Sequence, residues 1–257
     1  MLTGILYTGI ALFTYMSLFY VCSRMVKKIS VVDVAWGGGF IFVVALNLAM
    51  ARTVTTRQIL VALMVFIWGV RLISHLYSRL RGKPEDYRYL QMKQRWGNRA
   101  AVRTYTHVFL FQGLLVLMIG YPLIMVNVYI EESLYPSDII GTAIWLAGFL
   151  CETIADLQLR RFIRFEKKSR DDIMTRRLWR YSRHPNYFGE ALQWWGVAIV
   201  VLPVRYGWLA FFGPLILTIL LLKVSGVPLL EKRYDDNPAY REYARKTSMF
   251  VPWFPKE

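Results

Sequence analysis

The sequence has few of the residues that build disulfide frameworks, zinc sites and soluble nucleotide-binding loops. Only two cysteines and three histidines occur among 257 residues. Cys22 and Cys151 both lie in apolar segments, so they indicate neither a disulfide framework nor a metal-ligand pattern. A glycine-rich phosphate loop is absent, and the GGG that begins at Gly37 lies in an apolar run, where it favours helix packing. Because repeats and linkers are also absent, we predict a single domain over residues 1–257.

Apolar residues, by contrast, make up 56% of the chain, and the mean hydropathy is +0.34. No small-residue cleavage site follows the first apolar run, so we expect a retained helix rather than a signal peptide. Pro122 and Pro214 predict kinks in the spans that contain them. The predicted fold is an all-α integral membrane protein with seven transmembrane helices of roughly 20 residues each. They are predicted at 2–23, 30–50, 58–80, 105–130, 137–159, 186–204 and 206–230.

The net charge of +15 is explained by membrane topology. Of the 32 lysines and arginines, only Arg52, Arg57 and Arg205 lie in connections on the side opposite the others. By the positive-inside rule this asymmetry predicts an N-terminus outside and a C-terminal tail in the cytoplasm. A nucleic-acid partner is therefore not needed, and we expect none. Short loops favour a multi-pass protein of a bacterial inner membrane, and the endoplasmic reticulum is the alternative. We expect contact with membrane lipids and a monomeric state.

Polar side chains recur at helical spacing within four of the predicted spans. Such groups are costly in a bilayer and are candidates for function. Spacings of three and four residues place each set on one helix face. The sets are Asp33 and Trp36; Trp68, Arg71 and His75; Glu152, Asp156 and Arg160; and Asn186, Glu190 and Gln193.

Two interpretations of these polar sets remain open. Side chains on different helices can form buried pairs, such as Asp33 with Arg71, and such pairs hold many bundles in register. Alternatively, the sets converge on one polar cavity open to the cytosol, because all lie towards the cytoplasmic ends of their helices. The basic connection at 160–185 would form the rim of this cavity. Its arginines suit a phosphate-bearing ligand or anionic lipid headgroups.

Several segments carry a resemblance to a known family. RHPNYFGE at residues 183–190 resembles the signature of integral-membrane steroid and sterol reductases, including the steroid 5α-reductases. The tyrosine-rich tail at 229–254 and CETIADLQLRR at 151–161 are similar to the cofactor-binding part of that family. RLRGKPEDYRY at 79–89 and FQG at 111–113 also have counterparts there. The resemblance is strongest over residues 150–254.

The resemblance implies that NADPH binds from the cytosol with its nicotinamide deepest. Asn186 would form a hydrogen bond with the cofactor, and carboxylates would hold ribose or amide groups. Arginines and a histidine would neutralise the phosphates, and tail residues would close over the adenine. The implied set is Glu152, Asp156, Arg160, Arg164, Arg183, His184, Asn186, Glu190, Arg233, Tyr234 and Tyr243. His184, which precedes a proline at a helix start, is equally interpretable as a structural cap.

The implied reaction is reduction of the carbon–carbon double bond of a steroid-like or other lipid enone of the 3-oxo-4-ene type. Asp33 occupies the stretch where 5α-reductases carry a glutamate that binds the steroid ketone. Trp68 stands where the family has a partner tyrosine, and its indole cannot relay a proton as a phenol does. Arg71, His75 or Tyr77 would then substitute for the missing hydroxyl.

Two other functions remain compatible with the sequence. Isoprenylcysteine carboxyl methyltransferases carry a similar Arg-His-Pro segment but bind S-adenosylmethionine. A transporter would also place charges inside the membrane. Transporters are built from inverted repeats or paired broken helices, and neither is evident here. The reductase interpretation is favoured by Asn186, by Glu190 and by the number of predicted spans.

Overall fold

The computed structural model describes residues 2–169 and 172–256. Over these residues the chain is helical and contains no β-strand. Short 3-10 or π-helical turns continue or link several of the α-helices. The α-helices of the described part are α1 Leu2–Met25, α2 Val31–Met50, α3 Thr56–Leu80, α4 Tyr87–Trp96, α5 Ala100–Thr104, α6 Phe111–Ile119, α7 Tyr121–Val128, α8 Pro136–Arg161, α9 Pro185–Val201, α10 Phe212–Ile219, α11 Val227–Arg233 and α12 Pro238–Lys246.

Six helical segments within the described residues are long and apolar enough to cross a membrane. The prediction of an all-α, multi-pass membrane protein is thereby confirmed. The predicted span at 186–204 corresponds to α9, which has 17 residues and is not among the six. The six are Leu2–Met25, Val31–Met50, Thr56–Ser78, Tyr87–Ile119, Pro136–Glu166 and Gly207–Arg233.

The fourth apolar segment differs most from its predicted bounds of 105–130. It begins at Tyr87 and continues through a π-helical turn to Ile119, where the helix is interrupted at Gly120. Pro122 lies in the first turn of α7, where its missing N–H removes no helical hydrogen bond. Pro214 likewise lies in the first turn of α10. Both prolines therefore lie in the first turn of a helix, in the segments where the sequence predicts kinks.

The chain forms two compact units. The first contains Met1–Tyr135 and Val201–Phe212, and the second contains Pro136–Val200 and Gly213–Glu257. The two alternate along the sequence, so neither is a single continuous segment.

In the first unit, α2 packs against α1 and α3, and glycines permit the close approach. A Cβ added at Gly69 would lie 2.7 Å from the Ile41 side chain. One added at Gly37 would lie 3.3 Å from side chains of α3. The predicted packing role of the GGG segment is thus confirmed. Nearby, the Phe40 ring meets the Trp68 indole edge-on at 5.4 Å, and both are buried.

In the second unit, α8 and α9 make backbone contact through two pairs of glycines. Gly141 faces Gly196, and Gly148 faces Gly189; in each pair an added Cβ would come within 2.7 Å of the partner's carbonyl oxygen. The members lie seven residues apart on both helices, so they repeat after two turns on one face of each. Small residues let transmembrane helices approach this closely. This contact sets the register of α8 against α9.

Candidate functional site

Two pairs of polar side chains bridge α8 and α9 near the Gly148–Gly189 contact. Gln193 Nε2 donates to Glu152 Oε2 at 2.7 Å. Two turns closer to the start of α9, Asn186 Nδ2 donates to Asp156 Oδ1 at 3.1 Å. The structure thus brings together three residues that the sequence assigns to cofactor binding, and it pairs them across the helices. We call these four side chains the amide–carboxylate ladder.

The inner pair of the ladder is deeply buried. Gln193 is 1% exposed and Glu152 is 4% exposed. A buried carboxylate needs hydrogen-bond donors to offset its lost hydration, and the Gln193 amide supplies one. The same Nε2 also donates to the carbonyl oxygen of Gly189 at 3.2 Å. Gln193 Oε1 is buried and has no hydrogen-bond partner among the described residues.

Exposed cations follow the ladder at the end of α8. Arg160 lies one turn beyond Asp156, and Arg164 lies one turn further, in a π-helical segment. Both are exposed, and the Arg164 guanidinium lies 5.2 Å from the Phe165 ring centroid. Glu190, on the ladder-bearing helix α9, is of intermediate burial. Along α8, buried Glu152 is therefore followed by Asp156 and then by the two exposed arginines.

Arg183 and His184 have a different environment from the exposed arginines. Arg183 Nη1 lies 3.0 Å from Glu231 Oε1, and His184 Nε2 lies 3.2 Å from the same oxygen. The Tyr240 hydroxyl also donates to it, at 3.3 Å. We call these four residues the Glu231 cluster. The sequence analysis did not identify Glu231, because the carboxylate stands 47 residues beyond the histidine that it binds.

Burial lowers the pKa of His184, and the neighbouring Arg183 charge acts in the same direction, against the opposing effect of Glu231. The ring is 3% exposed and stacks on Tyr187 at 5.6 Å. Since Glu231 accepts from Nε2, the neutral ring carries its proton there. Nδ1 is buried without a hydrogen-bond partner in the described structure, so a second proton would be left unsatisfied. The contacts of His184 thus agree with its interpretation as a structural residue at the start of α9.

The C-terminal tail packs onto the segment that precedes α9. The Tyr243 hydroxyl donates to the carbonyl oxygen of Trp179, and the Arg183 amide donates to Ser248 O at 2.8 Å. Further along, the Trp253 amide donates to Tyr181 O at 2.9 Å. These bonds hold the tail against the RHPNYFGE segment. The predicted closure of tail residues over the adenine of a cofactor stays a prediction.

The other two predicted tail residues lie near this contact. Tyr234 stacks on Tyr240, with ring centroids 5.2 Å apart. Arg233 is exposed at the end of α11. An exposed arginine is available to a phosphate, so the predicted role of Arg233 in cofactor binding stays a prediction.

In the first unit, Asp33 is bonded to a tyrosine that the sequence analysis did not identify. The Tyr89 hydroxyl donates to Asp33 Oδ1 at 2.7 Å. Tyr89 is 6% exposed and belongs to α4, where it packs with Val32, Val108 and Phe109. The sequence feature that could have identified Tyr89 is its position in the RGKPEDYRY stretch, which resembles the family. The predicted acid therefore has a phenol partner, supplied by α4 rather than by α3.

The start of α2 binds a second carboxylate as well. Glu85 accepts hydrogen bonds from the backbone amides of Ile29 and Ser30, the latter at 3.2 Å. These amides belong to the unsatisfied donors of a helix N-terminus, where negative charge is favoured. Asp33 lies in the first turn of the same helix. Glu85 thereby fixes the start of α2, and with it the backbone that carries Asp33.

The other predicted catalytic residues share α3. Trp68 is 2% exposed and packs on Phe40, so its position is that of a core residue. Arg71 and His75 are of intermediate burial and follow it along the helix. Tyr77, a further hydroxyl on α3, is 56% exposed. The predicted face of α3 therefore carries a buried aromatic residue, Trp68, followed by the basic residues Arg71 and His75.

Comparison with known proteins gives one finding. A family model described as a protein of unknown function, DUF1295, matches residues 19–247. No curated protein and no solved structure matches the chain. The match covers α2 to α12 entirely and includes every candidate residue discussed above. The chain therefore belongs to the DUF1295 family.

Proposed function

We propose that this membrane protein reduces a carbon–carbon double bond conjugated to a carbonyl group in a lipophilic substrate, with NADPH as cofactor. The observation that carries the proposal is the hydrogen bond between Tyr89 and Asp33, which joins a buried phenol to a carboxyl group of intermediate burial. Reduction of an enone requires a proton donor at the carbonyl oxygen, whereas methyl transfer from S-adenosylmethionine does not. The pair therefore favours a reductase.

The chemistry assigned to this pair is polarisation of the substrate carbonyl. As a hydride adds to the β-carbon, the π electrons of the double bond move towards the carbonyl oxygen. A neutral Asp33 carboxyl donates a hydrogen bond to that oxygen, while Tyr89 donates to the other carboxyl oxygen and fixes its orientation. A proton added at the α-carbon completes the reaction, so one hydride and one proton are consumed per double bond.

Cofactor binding is assigned to the second unit. NADPH, when bound, supplies the hydride. Exposed Arg160 and Arg164 suit its phosphates, because guanidinium groups form paired hydrogen bonds with phosphate oxygens. Asn186 and Asp156 offer amide and carboxylate groups for ribose hydroxyls. The buried Gln193 Oε1 is an acceptor that a bound ligand can satisfy. These features together support a polar cofactor that enters from the basic end of α8.

Arg183 and His184 fit this proposal less directly. Both are bound to Glu231, and His184 is nearly inaccessible to solvent. We therefore assign them to positioning the start of α9, which carries Asn186. Arg233, Tyr234 and Tyr243 keep their proposed place around the adenine end.

The proposed topology has α9 as a seventh crossing, with an N-terminus outside and a C-terminus in the cytoplasm. At 1.5 Å per residue, its 17 residues extend about 26 Å, near the thickness of a bilayer's hydrocarbon core. The concentration of cations in the connection before α9 and in the tail supports a cytoplasmic position for both.

The experiment that tests the function combines ligand binding with turnover. Thermal stabilisation of the detergent-purified protein is measured with NADPH, NADH and S-adenosylmethionine, for wild type and for Asn186→Ala. We expect NADPH to stabilise wild type most, and the substitution to reduce that effect. Stabilisation by S-adenosylmethionine alone would identify a methyltransferase instead. A lack of response to any dinucleotide would refute the reductase proposal.

Turnover then tests the acid pair. Oxidation of NADPH is followed with 3-oxo-4-ene steroids as probe substrates. We expect Tyr89→Phe to lower kcat by about a hundredfold, because the Asp33 carboxyl loses the hydrogen bond that orients it towards the substrate carbonyl. NADPH binding should be retained in that variant. Tyr87→Phe is the matched control, because Tyr87 is exposed on the same helix as Tyr89. Equal turnover by Tyr89→Phe and wild type would rule out the assigned role.

A further inference from the structure

Gln193 presents a buried acceptor that the protein itself leaves unsatisfied. Its side chain is 1% exposed, and Oε1 has no hydrogen-bond partner among the described residues. A buried acceptor without a donor is unfavourable, and most such groups in folded proteins are satisfied. The amide at this position therefore points to a ligand that brings a donor.

The orientation of the amide follows from its other contacts. Both protons of Nε2 have acceptors, Glu152 Oε2 at 2.7 Å and the carbonyl oxygen of Gly189 at 3.2 Å. Reversing the amide would place Oε1 against a carboxylate and a carbonyl, which are both acceptors. The contacts on α8 and α9 thus direct the acceptor, and not the donor, towards the remaining side of the side chain.

The position of Gln193 along α9 indicates which part of a ligand it would meet. Asn186 stands seven residues earlier, about 10 Å closer to the helix start. On the antiparallel partner, Arg160 stands eight residues beyond Glu152, about 12 Å along α8. A ligand whose phosphates contact the arginines would therefore reach Gln193 with the end remote from those phosphates.

We infer that Gln193 Oε1 accepts a hydrogen bond from the carboxamide of the nicotinamide ring. The inference rests on the proposed function and deepens it, because it names the group that recognises the reactive end of the cofactor. A primary carboxamide supplies neutral N–H donors, which match a neutral acceptor in a buried site. Glu152 then acts as a positioning residue that holds the Gln193 amide in the required orientation.

The test compares two cofactors that differ only at this group. In 3-acetylpyridine adenine dinucleotide phosphate, a methyl ketone replaces the carboxamide and no N–H is available. Dissociation constants of this analogue and of NADP⁺ are measured by calorimetry on the purified full-length protein. We expect wild type to bind NADP⁺ about tenfold more tightly, the effect of one hydrogen bond to a buried group. Gln193→Met should bind the two with equal affinity.

Two controls separate recognition from structural damage. Asn47→Leu removes another buried amide, which donates to Thr8 and Val43 in the first unit, and should preserve the tenfold preference. Binding of 2′-phospho-ADP-ribose, which lacks nicotinamide, should be unchanged in Gln193→Met. If that variant does not fold, the wild-type comparison alone still decides, because equal affinity for the two dinucleotides would overturn the inference.

The outcomes also distinguish this inference from the proposed function. Tight binding of both dinucleotides without a preference leaves the reductase standing and removes the role of Gln193. A tenfold preference that persists in Gln193→Met assigns the carboxamide contact to another residue and likewise overturns the inference. Failure of wild type to bind either dinucleotide overturns the proposed function, and the inference with it.

Discussion

The Glu231 cluster should hold the C-terminal tail against the segment that precedes α9. One oxygen of Glu231 accepts from Arg183, His184 and Tyr240, at 3.0, 3.2 and 3.3 Å. Glu231→Ala removes this acceptor and leaves a largely buried guanidinium without its carboxylate. We expect the tail contact to open more often in this variant, while the helices of the second unit remain folded.

The free-energy cost of Glu231→Ala follows from the burial of the Arg183–Glu231 ion pair. The Arg183 side chain is 13% exposed and the Glu231 side chain is 26% exposed. Removing one partner of a buried ion pair costs about 3–5 kcal/mol. The partial exposure of Glu231, and the sharing of one oxygen among three donors, favour the lower value. A loss of about 3 kcal/mol corresponds to roughly a hundredfold increase in the open population.

Hydrogen exchange provides the assay, because two backbone amides report the contact directly. The Arg183 amide donates to Ser248 O, and the Trp253 amide donates to Tyr181 O. Protection of both should fall about a hundredfold in Glu231→Ala. Glu231→Gln, which retains an acceptor oxygen without the charge, should show a smaller decrease.

The pH dependence has a defined sign. Burial lowers the pKa of His184 in the folded protein below its ordinary value of 6.5. Between these two pKa values the open form binds a proton that the closed form does not, so acid favours opening. The stabilisation is complete above about pH 6.5 and is lost as pH falls through the folded-state pKa. Protection of the tail amides, corrected for intrinsic exchange, should therefore be lower at pH 5.5 than at pH 7.5.

Two results would refute this reasoning. Unchanged protection in Glu231→Ala would show that backbone contacts alone retain the tail. A pH effect that persists in His184→Gln would assign the titration to another group. His107→Gln is the matched control, because His107 is exposed and contacts Thr106.

Three further predictions concern packing and topology. Gly189→Ala should destabilise the second unit by about 2–3 kcal/mol in reversible denaturation, since the added Cβ would lie 2.5 Å from the α8 backbone. Gly9→Ala should have little effect, because its added Cβ would have its nearest contact at 3.7 Å. Arg57→Met should lower the free energy of unfolding by about 2–4 kcal/mol, because the buried guanidinium donates to two backbone carbonyls at 2.9 and 2.6 Å. Arg52 is exposed, so Arg52→Met is the control, and equal stability of the two variants would contradict this prediction. Cys22, exposed near the end of α1, should react with an impermeant maleimide in everted vesicles but not in intact cells.

Local periodicity predicted much of the second unit. Residues three and four apart share a helix face, so the polar faces of α8 and α9 could be identified from the sequence. The carboxylates and amides on these faces do meet. The glycine pairs could also have been found, since both helices carry glycines seven residues apart. Their pairing requires knowing that α8 and α9 lie against each other, which composition does not reveal.

Contacts between distant segments explain what the sequence did not predict. Asp33 and Tyr89 are 56 residues apart, and α4 lies in what the predicted bounds left as a connection between the third and fourth spans, whereas the structure makes it part of a long helical segment. Glu231 was one carboxylate in a charged tail until the fold placed it beside His184. In both cases a local pattern identified one partner of the bond. The other partner is determined by tertiary packing, which no helical period encodes.

The amide–carboxylate ladder depends on the glycine contact beside it. Glu152 lies one turn beyond Gly148, and Gln193 lies one turn beyond Gly189, so the separation of the helices sets the length of the hydrogen bond between them. A larger residue at either glycine would move the backbones apart and lengthen that bond. The buried carboxylate of Glu152 would then lose the hydrogen bond from Gln193, which offsets part of its lost hydration. Close packing in this part of the protein is therefore a condition for keeping polar groups inside the membrane, and for presenting the Gln193 acceptor in one orientation.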